Sequence, residues 1–263
     1  MSVATVLNRL HQWLGQFPLA VALACKVRNQ CSRIIQCHLG PSTSADRNGE
    51  ELLIRKLAPH LRTVFDVGAN KGEWSRLVRA ANPSTVIHLF ECNPSLLNGL
   101  HTVFDGDAGA VVHGCALGDV QGRQSFYAVD ASTELGSLVK PDGACGFSLE
   151  GEVPVRTVDS ICSELDIQQL DLLKVDTEGY DFHVLRGASN MISEQRVLVI
   201  QFEYGGSWVR AGSTLFQCLE WLFDRNYKTY LLTPNGHQAF DYARWGEFLG
   251  YANFVALAPQ ALL

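Results

Sequence analysis

Short apolar runs alternate with stretches of mixed polarity along most of the chain. "TVFDV" at 63–67, "TVIHLFE" at 85–91, "AVVHGCAL" at 110–117, "LDLLKVD" at 170–176 and "RVLVIQFE" at 196–203 are almost continuously apolar, as strands covered on both faces are. The intervening segments predict helices around Gly72–Ala80, Pro94–Phe104 and Tyr180–Ile192. Strand and helix alternating in units of about 25 to 30 residues predict a doubly wound, mostly parallel α/β sheet. The rhythm changes in the middle. "RQSFYAV" (123–129) and "EVPVRTVDSI" (152–161) read as extended segments around a loop containing Gly136, Pro141, Gly143 and Gly146, an insertion large enough to wall part of a pocket. "YKTYLL" (227–232) and "ANFVALA" (252–258) supply late strands and an antiparallel edge.

Ahead of this pattern, Leu7, Leu10, Leu14, Phe17 and Val21 recur at three- and four-residue steps, the spacing of one helical face. They predict a docked helical extension. "FPLAVALAC" imitates a targeting signal, but it is short for a membrane span, is interrupted by Pro18 and runs directly into "KVRNQ". "LGPSTSADRNGE" (39–50) is rich in breakers and small polar residues and reads as a linker. The expected organisation is therefore a helical extension with its linker over 1–48 and one α/β domain over 49–263.

Composition narrows the function. The chain has 263 residues, 47% hydrophobic and 18% charged, with a formal charge of −6. It reads as soluble, without an integral membrane span, and a cytoplasmic location is expected. An acidic balance excludes a surface built to cover phosphates, so nucleic acid is not the expected partner. Eight cysteines contain no CxxC pair, and Cys25, Cys31 and Cys37 recur every six residues, which turns successive thiols apart on a helix. They read as reduced thiols, not as zinc ligands.

The candidate chemistry begins at "TVFDVGANKGEWSRL". Ligands of open parallel sheets bind beyond the carboxyl ends of strands, where glycine turns let backbone amides approach. Gly68 and Gly72 suit such a turn, and Asp66 is expected at the strand end facing the crevice. "HLFECNP" ends the next strand on Glu91, placed to accept both hydroxyl protons of a ribose. That acid fits NAD as well as other adenosine ligands, and it also fits a carboxylate stabilising the following helix N-terminus. The turn tilts the choice, because D-V-G-A-N-K-G lacks the GxGxxG spacing that receives a pyrophosphate. A cofactor without phosphates, carrying a sulfonium and an amino-acid tail, calls for an acid near its ammonium group and open backbone.

"VFDVGANKGEWS", "HLFECNPSLL", "GCALGD", "DLLKVDTEGYDFHVLRGA" and "VLVIQFEYG" together resemble the FkbM family of S-adenosylmethionine-dependent methyltransferases over roughly residues 50 to 258, in order. The resemblance implies a class I methyltransferase fold, with a seven-stranded sheet whose last strand is antiparallel. It also implies O-methylation, commonly of sugar hydroxyls in glycans, glycolipids or secondary metabolites. By position it makes Asp66, Gly68, Ala69, Asn70 and Gly72 the first cofactor loop, Glu91 and Asn93 the ribose contact, and Cys115, Ala116 and Leu117 the wall beside adenine. Cys92 stands where the family usually has proline.

Methyl transfer to an alcohol needs a group that takes the hydroxyl proton. Asp176 and Glu178 at the mouth of the fourth long strand and Glu203 at the mouth of the fifth are expected to converge beside the methyl group, where clustered acids raise one another's pKa. Asp176 is the first choice of general base, with Glu178 and Glu203 as hydroxyl acceptors or alternative bases. The bland alternatives are a helix cap for Asp176 and Glu178 and an arginine pair for Glu203. Alternation puts Lys174 on the face of Asp176, which suits an ion pair. His183 is a weaker proton acceptor, His113 is expected to pack beside the adenine loop, and the other histidines have no visible company. The same three acids would suit Mg²⁺ as the alternative mechanism. Tyr204, Trp208, Trp221, Tyr242 and Trp245 are candidates for a sugar-stacking floor, with ordinary core as the alternative, first of all for Trp221, which shares a helical pattern with Phe216, Leu219 and Phe223. Two rivals stand beside the methyltransferase: a nicotinamide oxidoreductase, weakened by the turn spacing and by the lack of a Tyr-x-x-x-Lys pair, and a catalytically inactive cofactor-binding partner protein.

Overall fold

The computed structural model describes residues 2–39, 45–129, 136–140, 146 and 148–262. The chain divides into two compact units, residues 1–41 and 42–263. The division falls inside the stretch read as a linker, and the latter part of that stretch, Ala45–Asn48, is a short helix of the second unit. The first unit consists of two helices, Val3–Leu14 and Pro18–Leu39. The first is capped by Ser2, whose side chain accepts from the amide of Thr5.

The strands of the second unit are β1 Thr63–Val67, β2 Val86–Phe90, β3 Ala110–His113, β4 Ala116–Leu117, β5 Gly122–Ala128, β6 Gly136–Ser137, β7 Ser148–Arg156, β8 Leu170–Val175, β9 Val197–Tyr204, β10 Lys228–Thr233, β11 Gly236–Ala239 and β12 Ala252–Leu257. Among the described residues they form an eight-stranded sheet in the order β11-β10-β12-β9-β8-β1-β2-β3 and a four-stranded sheet in the order β4-β7-β5-β6. β3, β2, β1, β8 and β9 are mutually parallel, and β12 enters antiparallel between β9 and β10. This is the class I methyltransferase order. The expectation of seven strands is one short, because β11 folds back on β10 as a hairpin and adds an eighth at the edge.

The central strands form where the apolar runs are, and β8 is buried along its whole length. Three predicted elements differ, each for a local reason. The run 110–117 splits at Gly114–Cys115, with β3 ending the large sheet while β4 pairs with β7 in the small one. The segment 152–161 ends as a strand at Arg156, since Thr157 and Ser160 make a reciprocal capping box that starts the helix Val158–Glu164. The helix across 180–192 is two, Asp181–Arg186 and Ser189–Ser193, broken at Gly187. Pro141 and Gly143 of the central loop lie outside the described residues.

A row of polar side chains crosses the middle of the large sheet. Asp66 of β1 is in register with Lys174 of β8, and Lys174 with Gln201 of β9, and all three are buried. The helix Glu50–Leu57 begins with a second buried acid, Glu50, which accepts from the side-chain amides of Asn48 and Gln201. Buried polar groups without partners are costly, so this row specifies how that helix seats on the sheet.

Candidate active site

Beyond the carboxyl ends of β1, β2, β8 and β4 lies a cavity of about 600 Å³, within the range of cofactor sites. One wall is the turn Gly68–Ala69–Asn70–Lys71, which leaves β1. Gly68 has φ +77°, and a Cβ there would lie 1.8 Å from the carbonyl oxygen of Asp176, so the β1 and β8 turns touch backbone to backbone. Only glycine permits that approach. A second wall is the end of β2. Glu91 is 8% exposed, and its carboxylate accepts the amides of Asn70 at 2.9 Å and Asn93 at 2.7 Å. Burial raises its pKa, while those amide hydrogen bonds and that of Cys92 oppose the shift. Asn93 caps the next helix through Ser95. Cys115, Ala116 and Leu117, with Phe90 and Leu96, give the cavity an apolar side.

The β8 turn supplies the remaining wall through Lys174, Asp176, Thr177, Glu178 and Tyr180. Lys174 is buried, with Nζ 3.1 Å from Asp66 and 3.5 Å from Asp176. Burial opposes its charge, but Asp66, Asp176 and Glu50 outweigh burial and raise its pKa. Glu178 has a left-handed backbone, φ +54°, and the turn that carries it is pinned by Asp181, which accepts the amides of Thr177 and Gly179 at 3.4 and 3.1 Å. Burial, then the charge of Asp176, pushes Asp181 up to about 8. Crowding by protein, then Asp176, pushes Glu178 up to about 7, with Lys174 opposing. Glu178 is exposed at the cavity mouth, and water reaching it tempers that shift, which makes about 7 its upper end.

Of the expected residues, the structure brings Gly68, Ala69, Asn70, Glu91, Asn93, Cys115, Ala116, Leu117, Asp176 and Glu178 to one cavity. Three expectations are corrected. Asp66 does not face the crevice: it is fully buried and holds Lys174 and the Ser75 hydroxyl, the latter at 2.7 Å. Gly72 lies against Phe104 and Leu100, where a Cβ would come within 2.6 Å of a ring carbon, so it serves helix packing. Glu203 is not on the cavity wall; burial, then Asp176, Asp181 and Glu178, raise its pKa well above the carboxylate range, and it hydrogen-bonds Asp176.

The ion-pair reading of Lys174 holds, and the pair extends to Asp66. Among the described residues no group of three or more His, Cys, Asp or Glu side chains is arranged to hold a metal ion. The alternative Mg²⁺ set draws no support from this arrangement, in which Lys174 pairs with Asp176 and Glu203 does not line the cavity. His183 is held by Asp119, by Arg186 and by the carbonyl of Ala211, stacked on Tyr180. His88 has company after all, in His113 at 3.0 Å. The candidate aromatic floor is not assembled: Tyr204 and Trp208 are buried against each other, Trp221 packs on Phe182 and Tyr242 on Phe216, and none of these nor Trp245 lines the cavity. Sequence reasoning missed Glu50 and Asp181. Gln201, a polar residue inside an apolar strand, was the available sign that something polar must cover it.

A family model described as the methyltransferase FkbM domain matches residues 66–229. The chain is similar to the hexuronic acid methyltransferase AglP of Haloferax volcanii, 24% identical over 165 residues, 61% of this chain and 65% of that protein. It is also similar to methyltransferase 1 of Beauveria bassiana, 25% identical over 146 residues, 47% of this chain and 57% of that protein. The matches thus span less than two thirds of either relative. Among solved structures, the FkbM methyltransferase of Methylobacillus flagellatus aligns with a TM-score of 0.47 at 17% identity, covering 74% of this chain and 43% of that one. A putative O-methyltransferase of Klebsiella pneumoniae aligns with a TM-score of 0.45 at 10% identity, covering 86% of each.

Proposed function

The chain belongs to the FkbM methyltransferase family, and on that premise we propose that it transfers a methyl group from S-adenosylmethionine to a hydroxyl of a sugar, with a uronic-acid-containing glycan as the first acceptor class to test. The observation that carries this reading is one cavity lined both by a buried carboxylate suited to a ribose diol, Glu91, and by the acids Asp176 and Glu178.

The donor set fits the cofactor. Glu91, fixed by the amides of Asn70 and Asn93 on its two oxygens and by that of Cys92, presents a carboxylate that suits the hydroxyls of a ribose. Cys115, Ala116, Leu117 and Leu96 would flank the base, and the open backbone of Gly68–Asn70 would lie along the amino-acid tail. Because Asp66 is occupied by Lys174, the acid nearest the tail's ammonium group is sought in Glu50, which lines the same cavity. When bound, S-adenosylmethionine supplies a methyl group made electrophilic by a positively charged sulfur.

Glu178 then takes the role first given to Asp176. A base is most effective when its pKa lies near the working pH, and Glu178 is the cavity acid pushed toward that range. Asp176, beside Lys174 and Glu203, orients the acceptor hydroxyl by accepting from it. Asp181 holds the Glu178 turn in place. Lys71 and Arg76, also on the cavity wall, offer the positive charge a uronate carboxylate calls for. The similarity to a hexuronic acid methyltransferase supports that choice of acceptor.

The test is incubation with methyl-labelled S-adenosylmethionine and a panel of uronic-acid and neutral glycans, followed by mild alkali. The expected product is an alkali-stable methyl ether. An alkali-labile label, meaning a methyl ester, would overturn the hydroxyl reading.

A further inference from the structure

The N-terminal unit carries a feature that methyl transfer does not use. On the helix Val3–Leu14, the residues Val3, Val6, Leu7, Leu10, Trp13 and Leu14 fall on one face by the 3.6-residue period, with Arg9, Gln12, Thr5 and Asn8 opposite. The second helix of the unit leaves this face open: Leu7 is 46%, Leu10 45% and Trp13 55% exposed. Phe17, edge-on to Trp13 at 5.0 Å and 45% exposed, extends it. On the helix Pro18–Leu39, Leu19, Leu23, Val27 and Ile34 make a second exposed stripe, with Leu19 at 87%.

Charge decides what could cover these faces. No acidic residue precedes Asp46, whereas Arg9, Lys26, Arg28 and Arg33 lie on the two helices, in a chain whose net charge is −6. A second copy laid on the same faces would bring cations against cations with no acid to pair them. Neither helix is long and apolar enough to cross a membrane. Exposed Leu, Trp and Phe along one side, cations that flank them, as Lys26 and Arg33 flank Leu19 and Leu23, and no acids are what a helix lying in a lipid headgroup layer needs. We propose that residues 3–39 bind the surface of an anionic lipid bilayer, lying in its interface without spanning it.

The test uses the full-length chain and vesicles of phosphatidylcholine with or without roughly 30% phosphatidylserine, read by co-sedimentation at low salt and at about 0.5 M salt. Each cation near an anionic surface strengthens binding by about fivefold. Binding to the anionic vesicles is therefore expected to exceed that to neutral ones by tenfold or more and to weaken in high salt. Leu10→Glu with Trp13→Glu should abolish binding, and replacing Arg9, Lys26, Arg28 and Arg33 by Gln should remove the preference for phosphatidylserine. Unchanged thermal unfolding would show that the variants retain their fold. The proposal is overturned if the wild-type chain binds neither vesicle or both equally. It is also overturned if Leu10→Glu with Trp13→Glu turns a dimer into a monomer and leaves sedimentation with vesicles unchanged.

Discussion

Replacing Lys174 by methionine removes the only cation that, among the described residues, lies against the fully buried Asp66. Two unit charges 3.1 Å apart attract by about 5 kcal/mol at the effective dielectric of about 20 that describes most protein sites. Both side chains are almost completely out of water, 5% and 0% exposed, so solvent does little to screen them. The Ser75 hydroxyl still donates to Asp66 and recovers part of the loss. Breaking a buried pair at one end costs about 3 to 5 kcal/mol, which for a unit of this size lowers Tm by roughly 6 to 20 °C. The assay is a double-mutant cycle of Lys174→Met, Asp66→Asn and the double variant, read by denaturant and thermal unfolding. Asp66→Asn alone should cost less, because Asp176 stays beside Lys174, and the double variant should be more stable than Lys174→Met. The folded Asp66→Asn protein should bind S-adenosylmethionine within about threefold of wild type. The reasoning fails if Lys174→Met is within about 1 kcal/mol of wild type, or if Asp66→Asn folds normally and loses the cofactor.

Two further outcomes follow from the titratable groups. Glu178 must be ionised to accept a proton, so kcat/KM should rise with pH, reach its half-maximum no higher than about 7 and level off above that. Glu178→Gln should lower kcat by about 10² to 10⁴ and remove that limb, which a pH-rate profile of both proteins checks. Asp181 is an acid whose pKa is raised in the fold to about 8. The native state holds its proton while the unfolded chain releases it, so this group erodes stability as pH climbs from about 4 to about 8. Asp181→Asn should flatten that dependence by a few kcal/mol, measured as denaturant midpoints across the range, and should lower turnover because one of the two amides holding the Glu178 turn loses its acceptor.

Much of the scaffold was legible because parallel strands buried on both faces leave long apolar runs, as at Leu170–Val175, and because strand ends announce themselves by a change to Asp, Glu and Gly. Alternation placed Lys174 beside Asp176 correctly, since that relation lies within one strand. Its second partner, Asp66, depends on the register of β1 against β8, which no local pattern encodes. The same holds for Glu50: "NGEELL" carries the local features of a helix start, and only contact with Gln201, far along the chain, buries it. Gly68 and Gly72 look alike in sequence, both with positive φ, yet one lets two turns touch and the other makes room for Phe104. The small sheet was invisible as a sheet because extended character reveals strands but not their partners. Tyr204 and Trp208 were misassigned because aromatic residues near a site have the same composition whether they face a ligand or the core.

The central claim is that Glu91 and the β1 turn form a cradle for the adenosyl part of S-adenosylmethionine. Calorimetric titration of that compound into the wild-type chain and into Glu91→Gln tests it most directly. The account predicts one site per chain and an affinity weakened about tenfold to a hundredfold in the variant, since the amide group of glutamine faces an N–H it cannot accept and loses one ribose hydroxyl. No heat of binding to the wild type, or equal affinity in a folded Glu91→Gln, would contradict it.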